Sequence, residues 1–248
     1  MLIPGLALAA GAPGSGGAGT GPGSSSGSSG APPVGTGNVP VTASSNGITI
    51  TTQESAFLRS GVSVTGTIPA SDAGNTVEID QLGSGSNASW VPVTTVTADP
   101  GGSFAAAWHP SHPGELTIRA LIEGTRASSA AAAPTVSVTV YRRSLATLYG
   151  PGFWGQRTAC GTILRRRTLG VANRTLPCGT LVELYYKGRV ITVPVIDRGP
   201  YAHGANWDLT MATGRALGML GTARIGAAAV PSPTSTPTAN SAAVRSAR

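Results

Sequence analysis

The sequence predicts an all-β chain made of two successive β-folds, a sandwich and then a closed barrel, with one short helix. Three observations carry this. Between residues 41 and 142 lie seven short, β-branched, often alternating segments, each bounded by Gly, Asn, Asp or Pro. Further on, LVELYYKGRVITVPVID reads as a hairpin with apolar residues on both faces of each arm, as strands covered on two sides require. Only WDLTMATGRALGML reads as a helix. Composition agrees. With 35 Gly, 19 Pro and 5% aromatics in 248 residues, the chain favours short strands and many turns. At ~150 residues per domain, this length holds one or two domains.

Residues 1–40 are expected to lie outside any core. The start, MLIPGLALAAGA, has a short apolar run and an Ala-x-Ala pattern at Ala7–Ala9 but no basic n-region. It reads as a signal peptide lacking its basic start. Residues 11–40 are rich in Gly, Ser and Pro and read as a disordered tether. No run of ~18 apolar residues occurs, so no transmembrane helix is expected.

Residues 41–142 hold ITITTQ, LRSGVSVTGTIP, NTVEIDQLG, WVPVTTVTAD, GSFAAAWHP, GELTIRALIEG and TVSVTVYR. Seven such strands in ~100 residues are the pattern of an antiparallel immunoglobulin-like sandwich. GVSVTGTIP, TVEIDQL and the DPGGSF turn resemble bacterial immunoglobulin-like modules of surface proteins. Trp90 and Trp108 are expected in its core or at its edge rather than at a ligand. His109 and His112, each followed closely by proline, are read as a strand-end turn and not a metal site.

Residues 143–230 are expected to form the barrel, with strands SLATLYG, LVELYYK, RVITVPVI and TARIGAAAV. Asp208 is placed to cap the helix, and Gly221 to end it. The polar, Pro-rich residues 231–248 read as a disordered tail. Cys160 and Cys178 form a disulfide if the protein is exported, and are two buried thiols if it is not.

The net charge is +7, and Lys187 is the only lysine. A GC-rich genome produces the same arginine bias without a functional cause. A basic protein is drawn to polyanions. Zinc-finger spacing and aromatic RNP patterns are absent, so nucleic acid is not the expected partner, and an acidic cell wall serves as well. Among the few acids of the second fold, Asp197 ends a strand at a Gly-Pro turn, where a barrel rim would display it. Glu183 sits mid-strand and is read as facing an arginine. Two carboxylates on one groove suit glycosidic chemistry, one as proton donor. A lytic transglycosylase uses the sugar's own hydroxyl as nucleophile and needs chiefly one acid/base carboxyl. Aspartates also bind sugar hydroxyls, and Tyr149, Trp154, Tyr201 and Trp207 offer faces for sugar rings. On the residues alone, Asp197 and Asp208 serve equally well as turn and cap residues.

ATLYGPGFWGQRTACG, GVANRTLPCGTLVELYYKGR, ITVPVIDRGPY and WDLTMATGRALG, in that order from about Leu145 to Ala227, resemble the rare lipoprotein A-like (RlpA-like) double-psi β-barrel. The resemblance implies six strands, a polysaccharide groove and, for Cys160 and Cys178, the disulfide-bearing branch of secreted proteins. Family members that cut peptidoglycan glycan strands carry a glutamate after T-A-x-G, a histidine before T-L-P and the aspartate of D-R-G-P. Here Thr162 and Asn173 replace the first two, and Asp197 alone carries over. Threonine is no acid near neutral pH, and asparagine cannot shuttle a proton. Expansins share the barrel and loosen polysaccharide without hydrolysis. Their pattern of a first-strand threonine and two groove aspartates matches Thr147, Asp197 and Asp208.

The expected protein is therefore secreted, monomeric and associated with the cell envelope. Its barrel binds peptidoglycan glycan strands, and remodels them if the reduced catalytic set suffices. Asp197 is the expected central acid, supported by Thr147 and Asp208, with Tyr149, Tyr201 and Trp207 contacting sugar. No metal or cofactor is expected. The alternative is a structural or adhesion module whose immunoglobulin-like part binds the partner.

Overall fold

A computed structural model describes residues 35–36, 38–85, 88–125, 130, 132–201 and 204–232. The signal-like start, most of the tether and the tail beyond 232 lie outside the described residues.

Strand β1 (Gly35–Thr36) pairs with the later barrel hairpin at Arg189 and Val190. The first sheet is antiparallel and holds β2 (Pro40–Ser45), β3 (Ile48–Gln53), β5 (Val62–Thr67) and β8 (Ser103–Trp108). The second places β4 (Ser55–Phe57) and β9 (Gly114–Ile122) on either side of β10 (Thr135–Tyr149), followed by β6 (Thr76–Leu82) and β7 (Trp90–Thr97). Alternation explains the packing. Ile48 and Ile50, Val62 and Val64, Val77 and Ile79, Leu116 and Ile118, and Val136 and Val138 point inward and meet in one core around fully buried Trp108. Truncating Trp108 to Ala would cost ~3–5 kcal/mol. Trp90 sits at the edge strand with the Arg119 guanidinium 4.4 Å over its ring. Arg119 also pairs with buried Asp80 at 2.7 Å.

All seven expected segments are strands. The structure adds β2 and β4. It also joins TVSVTVYR and SLATLYG into the single fifteen-residue strand β10. The first half of β10 belongs to the second sheet, and the second half enters the barrel.

That second half closes a ring with β11 (Val171–Ala172), β12 (Leu181–Tyr186), β13 (Arg189–Asp197), β14 (Trp207–Thr210) and β15 (Ala223–Val230). The order is β10–β14–β11–β13–β12–β15, and β15 pairs back to β10. Val182, Leu184, Ile191, Val193, Val195, Leu209 and Ile225 fill the interior. The hairpin was expected to be covered on both faces. Only the inward face is fully buried, while Leu181, Glu183, Tyr185, Val190, Thr192 and Pro194 keep partial exposure.

The expected helix splits. Its first four residues form β14, held by β10 on one side and β11 on the other. The helix α1 is Met211–Leu217. Asp208 is therefore not its cap. Thr210 is, with Oγ1 accepting from the Thr213 N–H at 3.1 Å. Gly218, at φ 79°, ends the helix three residues before Gly221 because it adopts the left-handed conformation.

Cys160 and Cys178 form the disulfide, with Cα atoms 5.6 Å apart. A loop of this length stabilises by ~3 kcal/mol in the chain-entropy model. Glu183 does not face an arginine, and its Oε1 accepts from the Tyr141 hydroxyl at 2.6 Å. The rings of Tyr141, Phe57 and Tyr185 lie 5.5–5.8 Å apart, linking β10 and β4 to β12.

Candidate active site

The barrel ladder sets the site. Ala172 is the register partner of Asp197 on β13 and of Asp208 on β14, and Asp208 is the partner of Thr147 on β10. Residues directly paired across strands share a face. Asp197, Ala172, Asp208 and Thr147 thus form a row across four neighbouring strands on the outer face of the barrel. At ~4.8 Å per strand, the two aspartates stand ~10 Å apart along the backbone. A register shift next to Ala172 allows this match. The residue between the two aspartates in this row is Ala172, itself 3% exposed.

The row floors a groove of about 730 Å³, also lined by Tyr149, Phe153, Arg198, Pro200, Tyr201 and Met211. Each carboxylate is held differently. Asp197 Oδ1 accepts from the backbone N–H of Ala159 at 2.9 Å and of Arg198 at 2.8 Å. Asp208 Oδ1 accepts from the Thr147 hydroxyl at 2.8 Å. Burial pushes the Asp208 carboxyl above the ordinary carboxylate range. The Thr147 hydrogen bond opposes this shift, and the Asp197 charge adds to it. Burial, then the charges of Asp197 and Asp208, raise the Tyr149 phenol as well. Its hydroxyl is buried and has no hydrogen-bond partner among the described residues.

Five expected site residues meet in this groove: Asp197, Asp208, Thr147, Tyr149 and Tyr201. Tyr201 is 80% exposed at its wall. Trp207 does not join them. Period-two alternation turns it away from Asp208, and it is only 8% exposed within the barrel core. It lines a separate cavity of about 380 Å³ with Arg142, Asn173 and Arg174. Trp154 stacks under Arg166 instead of facing the groove. Thr162 and Asn173 lie off the groove too. Thr162 N–H donates to Thr158 Oγ1 at 3.1 Å. Asn173 Oδ1 caps a turn by accepting from the N–H groups of Thr175 and Leu176.

Sequence reasoning missed Ala172, Phe153 and Ala159. Ala172 carries no chemistry of its own. Phe153 is 54% exposed, with its ring 6.3 Å from that of Tyr149. Ala159 acts through its backbone, next to the disulfide, so the T-A-C-G segment cradles Asp197. The disulfide is close by on the other side as well, where an Arg198 N–H donates to Cys178 Sγ at 3.2 Å.

Residues 142–231 match a family model described as lytic transglycolase. Over 82 residues the chain is 42% identical to the probable endolytic peptidoglycan transglycosylase RlpA of Aquifex aeolicus. The barrel is RlpA-like. That Aquifex match covers 32% of this chain and 36% of the relative. The probable endolytic peptidoglycan transglycosylase RlpA of Synechocystis is 35% identical over 106 residues, 42% of this chain and 32% of that protein. The endolytic peptidoglycan transglycosylase RlpA of Campylobacter jejuni is 34% identical over 78 residues, 31% and 28% respectively. The chain thus spans about a third of the length of these curated relatives, and the RlpA-like barrel is the part they share. Among solved structures, the Streptomyces papain inhibitor is 29% identical, covering 37% of this chain and 94% of that one, with a TM-score of 0.31.

Proposed function

We propose that the RlpA-like barrel binds peptidoglycan glycan strands in this groove and cleaves them by lytic transglycosylation. The observation that carries the proposal is the aligned pair of carboxylates, one of which holds its proton above the ordinary range. Asp208 is the proton donor to the glycosidic oxygen and, in return, the acceptor of the proton from the sugar's own attacking hydroxyl. Asp197, fixed by two backbone donors, sets negative charge beside the positive charge that develops on the sugar. Thr147 orients Asp208. Tyr149 turns its hydroxyl, buried and unpartnered in the free protein, onto a sugar oxygen when glycan binds, and Tyr201 and Phe153 offer faces to the rings. The sequence pointed to Asp197 as the central acid, and in this reading it becomes the electrostatic partner. The similarity to peptidoglycan transglycosylases supports the reaction class. Thr162 and Asn173 do not line the groove and supply no acid, so in this proposal the chemistry rests on the two aspartates.

Residues 41–142, as an immunoglobulin-like spacer, would present the barrel, residues 143–230, to the wall from a secreted chain. The disulfide fits an oxidising compartment. The test is incubation with peptide-free glycan strands and mass spectrometry of the products. Anhydro-muropeptides are expected from the wild type and not from Asp208→Asn or Asp197→Asn. Wall pull-down without any product would leave an expansin-like binder and remove the enzyme.

A further inference from the structure

The connection from β10 to β11 carries four exposed arginines, Arg157, Arg165, Arg166 and Arg167, and exposed Arg215 on α1 lies against it. The barrel has three carboxylates to offset them, and each is engaged elsewhere. Glu183 accepts from Tyr141, Asp197 from two backbone amides, and Asp208 from Thr147. Among the described residues, the ion pair is Arg119–Asp80, in the second sheet. The arginine tract therefore has no internal counter-ion there.

The tract is nonetheless held in place. The Arg165 N–H donates to Thr168 Oγ1 at 2.9 Å, and the Thr168 N–H returns to the Arg165 carbonyl at 3.0 Å, closing a turn. The Arg166 guanidinium lies 4.5 Å over the Trp154 ring, and Arg215 donates to the Arg166 carbonyl at 3.0 Å. A fixed turn that projects three consecutive positive charges pays a self-repulsion that an outside anion relieves. Its position is also defined. Phe153, next to Trp154, lines the groove, and so does Met211, one helical turn before Arg215. The tract is thus tied to elements that also contribute to the groove wall.

We propose that Arg165, Arg166, Arg167 and Arg215 bind a phosphodiester-linked wall polymer lying beside the glycan strand. The choice of a wall polymer rests on the function proposed above, while the anion site itself does not. Guanidinium forks match phosphate oxygens two at a time, and a row of them suits a repeating anion. Nucleic acid fits less well, because the Trp154 ring is covered by Arg166 and the exposed Phe153 ring beside it lines the glycan groove.

The experiment titrates the full chain with labelled poly(glycerol phosphate) between about 50 and 200 mM salt. Affinity is expected to fall steeply with salt. Arg165→Gln/Arg166→Gln/Arg167→Gln is expected to weaken binding more than tenfold and to flatten the log–log salt slope by about 2. Arg165→Gln/Arg167→Gln keeps the Arg166–Trp154 contact and is expected to show most of the loss, which guards against a folding defect. Wild-type binding by both variants overturns the proposal. So does single-stranded DNA of equal charge binding more tightly than the polymer. Cleavage of uncharged, peptide-free glycan should be unchanged in both variants, so loss of the polymer site and loss of the glycan reaction are read separately.

Discussion

At Asp208 a single carboxyl joins stability to function. Folding buries it beside Asp197, so the native state holds its proton more tightly than the unfolded chain does. The stability this group contributes is complete below the ordinary carboxylate range and is lost as pH rises through the raised value. Asp208→Asn keeps an oxygen for Thr147 and removes the charge. It should therefore melt higher than the wild type at pH 7 and match it near about pH 3, while glycan cleavage disappears. Equal melting curves at both pH values would contradict the role of burial. Tyr149 gives a second test. Its hydroxyl bonds nothing among the described residues, so Tyr149→Phe should leave the melting temperature unchanged or higher. One lost hydrogen bond to the sugar, ~1–1.5 kcal/mol, should lower kcat/KM about tenfold. A drop in stability with activity intact would place the hydroxyl in the fold and not on the substrate.

The elements that build the site are among the shortest in the chain. β11 is two residues long and β14 is four, yet they bring Asp197, Ala172 and Asp208 into register. Neither is long enough for a period-two pattern to announce it. WDLT therefore merged with the helix in the sequence reading, and pairing on both edges decided otherwise. Ala172 tests the register directly. Ala172→Leu raises a branched side chain between the two carboxylates, on the groove side. Ala172 is 3% exposed, so the added atoms also crowd its neighbours at ~1–3 kcal/mol, and glycan binding measured where the variant is still folded should fall more than tenfold. Unaltered binding would mean that Ala172 is not the floor of the site.

At the scale of the molecule, the two N-terminal sheets and the barrel belong to one compact unit, and β10 runs from the second sheet into the barrel. The Phe57–Tyr141–Tyr185 cluster and the Tyr141–Glu183 hydrogen bond add side-chain contact across the junction. A single cooperative calorimetric transition is expected, and Tyr185→Ala should lower it without splitting it. Two separate transitions in the wild type would show that the strand does not couple the parts. The disulfide acts locally, tying the loop that holds Asp197 to the loop before β12.

The sequence by itself determined the all-β class, most of the strands, the cysteine pair and five residues that line the groove. Those features reside in local alternation, in turn residues, or in motifs whose order along the chain is distinctive. Only the tertiary structure decided which face each residue occupies and which backbone groups hold it. Trp207 and Asp208 are neighbours in sequence, yet strand alternation sends one into the core and the other into the groove. Glu183 found a tyrosine, and Asp197 found the amide of a residue 38 positions away. Such partners are set by ring closure among distant strands, and no local pattern encodes them.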